Sequence, residues 1–287
     1  MSFVRFGAGR IPLLLATAAA LSCCLPFSVV HAQGKLEARY SVTLAGLPLG
    51  KGTWVIDIAN DQYTAVASGG TAGLLSVFSS GRGSSAVQGA ISRGNLVSAT
   101  YATTVTSSKK TEKIQLKFNA GVVKETMIEP SSPPHPDRIP LSEAHQRGVV
   151  DPMSAALLRV AGNGDVLSPE ACDRKLSVFD GRMRFDVQLA YKRMEQVKAE
   201  KGYQGPVVVC AAYFNPLAGY IPERTSIKYL AKQRDMEAWL APISGTRVVV
   251  PYRIVIPTAL GTGVLEATQF VSAPQQDKLV PTTARTY

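Results

Sequence analysis

Strict alternation of apolar and polar positions recurs along most of the chain. In residues 36–44, Leu36, Ala38, Tyr40, Val42 and Leu44 alternate with Glu37, Arg39, Ser41 and Thr43, the pattern of a strand with one wet face. Gly46-Leu47-Pro48 turns the chain, a second run passes through Trp54, Ile56 and Ile58 to Asn60-Asp61, and a third through Tyr63, Ala65 and Ala67. Such short connections predict antiparallel neighbours.

A Gly- and Ser-rich stretch, 68–94, is predicted to stay in strand over 79–85, because 74–78 and 86–91 flank it with β-forming residues. Residues 96–105 continue the pattern. Ile114, Leu116 and Phe118 then alternate with Lys113, Gln115, Lys117 and Asn119, and Asn119-Ala120-Gly121 makes a hairpin into 122–128.

Prolines at 130, 133, 134, 136 and 140 cannot donate to a ladder, so residues 129–140 must leave the sheet. A short helix follows, with Asp151 as its cap and Pro152 in its first turn, ending by Gly162-Asn163-Gly164. Further strands are predicted at 176–179, at Met183, Phe185, Val187, Leu189 and Tyr191 after the Asp180-Gly181 turn, and at 207–214, 225–232, 236–241, 248–256 and 263–271. The polar segment 273–287 reads as a flexible tail.

About a dozen strands exceed what a flat sheet holds without curling or closing. The chain is therefore expected to be mainly β, a curved antiparallel sheet or partly closed β-barrel with one short helix in a central connector. The domain would span 33–272, with two β-rich halves joined by a connector at about 129–170. A two-domain sandwich divided at the connector is the alternative.

The first 32 residues stand apart. Arg5 and Arg10 precede an apolar run, 11–30, that ends at Val30-His31-Ala32, as in a secretory signal peptide cleaved after Ala32. The run also has the ~20-residue length of a membrane anchor, but Ala18, Ala19, Ala20 and Pro26 favour a removed signal. Lipid attachment at Cys23 or Cys24 fits poorly behind Ala20-Leu21-Ser22. Past Ala32 no stretch is apolar enough for a spanning helix, and 281–286 lacks the alternation of a last barrel strand, so the exported chain is expected in the periplasm and not spanning a membrane.

Export changes the meaning of charge and cysteine. The formal charge of +10 falls to +8 once Arg5 and Arg10 leave, which favours anionic partners such as lipid or envelope polysaccharide. No basic run alternates with stacking aromatics, so nucleic acid is excluded as a partner, and the sequence names no protein partner. Of four cysteines, Cys172 and Cys210 remain and are predicted to form one disulfide. No nearby histidine would complete a metal site with them, and neither a metal nor a cofactor is expected.

Several motifs in order, Tyr40-Ser41-Val42-Thr43-Leu44-Ala45-Gly46-Leu47-Pro48-Leu49-Gly50, Asp151-Pro152-Met153-Ser154-Ala155, Cys172 with Val178-Phe179-Asp180-Gly181-Arg182, Cys210 with Pro216-Leu217-Ala218-Gly219-Tyr220, and Trp239-Leu240 before Val250-Pro251-Tyr252-Arg253, resemble the proteobacterial exported family called domain of unknown function 3108. The resemblance covers nearly all of the chain after Ala32. It implies a β-rich periplasmic or envelope protein and carries no catalytic residues.

No catalytic motif is present: there is no Gly-x-Ser-x-Gly, no His-Glu-x-x-His and no phosphate-cradling loop. His31 leaves with the signal, His135 and His145 fall in or beside the connector, and Asp151 and Asp180 read as a cap and a turn residue. Tyr220, Trp239 and Tyr252 are the candidates for lining a ligand site at a barrel mouth. The expected function is non-enzymatic binding of a hydrophobic ligand or envelope component. A scaffold or assembly factor for the envelope, and a hydrolase of an envelope polymer with clustered carboxylates, are the alternatives.

Overall fold

The computed structural model describes residues 1–2, 33–72, 81–92, 95–107, 110–131 and 134–275. The expected signal peptide apart from its first two residues, the expected strand residues 74–78 and 79–80, and the expected tail after Gln275 lie outside the described residues.

Seven strands precede the connector: β1 (Gly34–Leu44), β2 (Leu47–Ile58), β3 (Gln62–Thr71), β4 (Gly81–Ser92), β5 (Asn95–Ser107), β6 (Lys110–Asn119) and β7 (Val122–Glu129). The connector carries a one-turn helix, α1 (Pro152–Ala155), and the short strand β8 (Leu158–Arg159). Then come β9 (Arg174–Phe179), β10 (Arg184–Lys198), β11 (Lys201–Gly202), β12 (Gln204–Ala218), α2 (Thr225–Lys232), β13 (Glu237–Pro242), β14 (Val248–Thr258) and β15 (Gly261–Pro274).

They form one curved, unclosed sheet in the order β7-β6-β5-β4-β3-β2-β1-β15-β14-β13-β12-β10-β9, with β8 beside β14 and β11 beside β15. Strands from both sides of the connector thus share a sheet. The join is the antiparallel pairing of β1 with β15, from Gly34 opposite Pro274 to Leu44 opposite Gly263. The two edge strands are spanned by the connector: Arg147 bridges Val122 of β7, and Val150 bridges Val178 of β9.

The alternation in β1 to β6 places Leu36, Ile56, Tyr63, Val87, Tyr101 and Leu116 in one main core with Phe179, Val207, Val250, Tyr252 and Phe270 from the second half. On the second half both faces are covered. Val208, Cys210, Leu240 and Val249 pack in a smaller core under Leu158, Val160 and Ala171 of the connector, which is why Val207-Val208-Val209-Cys210 is apolar without alternation. The main core is filled by large side chains, Tyr63, Tyr252, Phe179 and Phe270 among them, so the concave side of the sheet is a packed interior.

Two element expectations also change. Residues 225–232 form helix α2, not a strand. Thr225, Ile227, Tyr229 and Ala231 do alternate, but Ile227, Leu230 and Ala231 also share a face at helical spacing, and the same residues satisfy either period. The tertiary setting decides, because Leu230 on a helix reaches the apolar Ile254 and Ile256 of β14. Helix α1 ends at Ala155, short of the expected glycines, because Leu158-Arg159 pair with Val249-Val248 instead.

Asp151 ties the connector into the fold. Its carboxylate is wholly buried and accepts from the backbone N–H groups of Met153 and Ser154, both at 2.9 Å, and from the hydroxyl of Ser98 at 2.6 Å. Ser154 Oγ donates to Asp151 as well and lies 2.6 Å from Tyr63 Oη. Burial pushes the Tyr63 phenol up to about 12.

Tyr63 has room only because β4 offers no side chain beneath it. A Cβ at Gly89 would lie 2.4 Å from Tyr63 Oη and 2.4 Å from the carbonyl oxygen of Val97. Gly89→Ala is therefore expected to cost about 1–3 kcal/mol by overpacking, read as a lower urea midpoint. A midpoint equal to wild type would mean that Tyr63 moves aside without loss.

Candidate ligand-binding site

Helix α2 lies over an apolar hollow at the tips of two hairpins. Val42, Leu44 and Leu49 come from the β1–β2 hairpin, Ile254, Ile256, Val264 and Leu265 from the β14–β15 hairpin, and Tyr229 and Leu230 from α2. The hairpins are held together at their tips, where the Ala45 N–H donates to the Thr262 carbonyl at 2.9 Å. The hollow measures about 800 Å³, and no charged residue lines it.

A second apolar hollow of about 310 Å³ shares Leu230, Ile254 and Ile256 with the first and extends toward Leu176, Val187, Leu189 and Phe214. Its one charged lining residue is Glu237. Space of this size with few polar groups suits an aliphatic chain better than a polar substrate. The hairpin tips beside it are apolar too, with Leu47 68% and Leu260 79% exposed.

The structure does not bring Tyr220, Trp239 and Tyr252 together around this space. Tyr252 is 1% exposed and packs in the main core, its ring 5.8 Å from that of Phe270. Tyr220 lines a separate, polar hollow of about 400 Å³ with Glu112, His135, Arg138 and Arg182. Trp239 packs against the main core between two guanidinium groups, Arg193 at 5.2 Å and Arg253 at 5.0 Å from its ring.

Glu237 anchors one of those two cations, Arg193. It accepts from Arg193 Nη1 at 2.8 Å and Nη2 at 3.1 Å, from Lys192 at 2.6 Å and from Trp239 Nε1 at 2.8 Å. The bidentate Arg193 contact, against the opposing effect of burial, holds the Glu237 carboxyl down at about 2.

The lining residues of the apolar hollow escaped sequence reasoning, although one signal was there. After Tyr252, the run Ile254-Val255-Ile256 is apolar at both parities where an outer face should turn polar. The cover comes from helix α2, whose residues 225–232 alternate as a strand's would.

Asp151 and Asp180 act as read from the sequence: Asp151 caps α1, and Asp180 accepts from the Arg182 and Met183 N–H groups at 2.8 and 2.7 Å in the β9–β10 turn. Burial raises the Asp180 carboxyl. Cys172 and Cys210 are bonded, with Cα atoms 5.4 Å apart. Among the described residues no three His, Cys, Asp or Glu side chains cluster as a metal site would need. None of the hollows described here holds a pair of carboxylates. Among the described residues no helix is long and apolar enough to cross a membrane.

No curated protein matches this sequence. Among solved structures, the crystal structure of a beta-barrel-like protein of domain of unknown function DUF1849 from Brucella abortus is similar at a TM-score of 0.42 and 9% identity, over 85% of this chain and 99% of that one. The family described as protein of unknown function (DUF3108) matches residues 39–268, from within β1 to within β15 and including the residues named for both apolar hollows, and the chain belongs to that family.

Proposed function

We propose that this is a non-enzymatic periplasmic protein that holds the aliphatic part of a lipid or another hydrophobic envelope molecule under helix α2. The observation that carries the reading is the uncharged hollow of about 800 Å³ between the two hairpin tips and α2. Exposed Leu47 and Leu260 support it, since apolar tips next to an apolar space suit transfer from a membrane surface. The amino-terminal pattern and the disulfide support the compartment. Strand addition by a scaffold partner fits less well, because the connector already bridges both sheet edges.

The test is native mass spectrometry of protein purified from the periplasm, with organic extraction of the denatured sample. Wild type is expected to carry a near-stoichiometric apolar species. Leu230→Gln puts an unpaired amide into the hollow and is expected to cut occupancy about tenfold, the effect of roughly 1.4 kcal/mol. Wild type that is empty, or a variant as fully loaded as wild type, refutes the reading. An empty wild type that copurifies with an envelope complex would favour the scaffold.

A further inference from the structure

The face of β1 to β5 opposite the main core carries a second, chemically different site. Thr53, Ser68, Ser84 and Thr104 are direct cross-strand partners on β2, β3, β4 and β5. Thr53 Oγ1 and Ser68 Oγ lie 2.9 Å apart, so their hydroxyls share this face. Arg39 of β1 sits opposite Thr53 at the end of the row.

In the neighbouring row on the same face, Lys51, Gly70 and Arg82 stand opposite one another. Gly70 puts no side chain between the two cations. Arg39, Lys51 and Arg82 line one cleft of about 890 Å³ together with the four hydroxyls, and Glu200 is its one carboxylate. None of the three cations forms a salt bridge among the described residues.

We infer that this cleft binds an acidic polysaccharide, a linear chain of sugar units bearing carboxylate or phosphate groups. Strand spacing sets the four residues about 4.8 Å apart along the row, which extends over roughly 14 Å, the scale of a few sugar rings. Each hydroxyl both donates and accepts, as sugar hydroxyls require of a partner. The three unpaired cations supply the attraction for acidic groups, in keeping with the chain's net positive charge. A bilayer surface is flat and cannot enter a cleft, and the one aromatic lining it, Tyr40, is buried with its hydroxyl donated to the Pro251 carbonyl, so bases have nothing to stack on.

The test is calorimetric titration of the full protein with hexagalacturonate, with neutral maltohexaose and phosphatidylglycerol vesicles as comparisons. Hexagalacturonate is expected to bind and maltohexaose to bind at least about tenfold more weakly, because it lacks the acidic groups that make charge-assisted hydrogen bonds. Arg82→Ala is expected to weaken hexagalacturonate about tenfold by the loss of such bonds, and Thr53→Ala/Ser84→Ala to weaken it several-fold without altering its salt dependence. Lys124→Ala, on exposed β7, is expected to change nothing. The proposal falls if hexagalacturonate fails to bind wild type, if Lys124→Ala weakens it as much as Arg82→Ala, if maltohexaose binds equally well, or if only vesicles bind. Occupancy of the apolar hollow is a separate measurement and bears on none of these outcomes.

Discussion

Removing the disulfide by Cys172→Ala/Cys210→Ala is expected to lower the unfolding free energy by about 4 kcal/mol. The two cysteines are 38 residues apart in sequence, and closing a loop of that length restricts the unfolded chain by about that amount in the chain-entropy account. The folded state explains where the loss would be felt. Cys172 ends the connector segment whose Leu158, Val160 and Ala171 cover the smaller core, and Cys210 sits on β12 beneath them. Both cysteines are fully buried, so alanine at these positions also gives up some packing. Urea unfolding of the double variant, compared with wild type under reducing conditions, measures the effect twice. If both lose less than about 1 kcal/mol, well under the range for such crosslinks, the smaller core holds the connector without the bond.

Asp151→Ala is expected to cost about 3–5 kcal/mol. Loss of an N-cap alone costs ~1 kcal/mol, but here the same deletion takes the carboxylate acceptor from the buried hydroxyls of Ser98 and Ser154; a buried donor left without an acceptor costs about 1–3 kcal/mol, and Ser154 stays near the low end because Tyr63 Oη remains beside it. Asp151→Asn keeps one oxygen for the Met153 and Ser154 N–H groups and is expected to lose roughly half as much, because its amide must now face two hydroxyls that can turn to accept. Thermal or urea unfolding of the pair decides. An alanine variant as stable as the asparagine one would reduce Asp151 to an ordinary cap.

What could be read from the chain beforehand was whatever depends on neighbours in sequence. Leu36, Ala38 and Tyr40 declare a wet and a dry face within five residues, Asp151-Pro152 declares a helix start, and Asp180-Gly181 a turn. Cys172 and Cys210 were paired by compartment and elimination, without geometry. Residues 225–232 satisfy two periods at once, and only the presence of Ile254 and Ile256 alongside selects the helix. The hollow under that helix was hidden for the same reason. The role of Asp151 beyond capping rests on Ser98 and Tyr63, far earlier in the chain, which no local pattern links to it. The row from Thr53 to Thr104 could be seen only once the register of four strands was known.

The pairing of β1 with β15 governs the time course of assembly. Gly34 meets Pro274, so the earliest strand waits for the latest one, and contacts so distant in sequence are the slow kind to form. As the chain emerges amino-terminus first, β2 can pair with β1 once both are free, but the other side of β1 stays bare. A chain cut short before β15 keeps that bare edge permanently, and edges of this kind are what other unpaired strands adhere to. Completed and truncated copies would thus differ at a surface that can be recognised, since β15 covers it only in the completed ones.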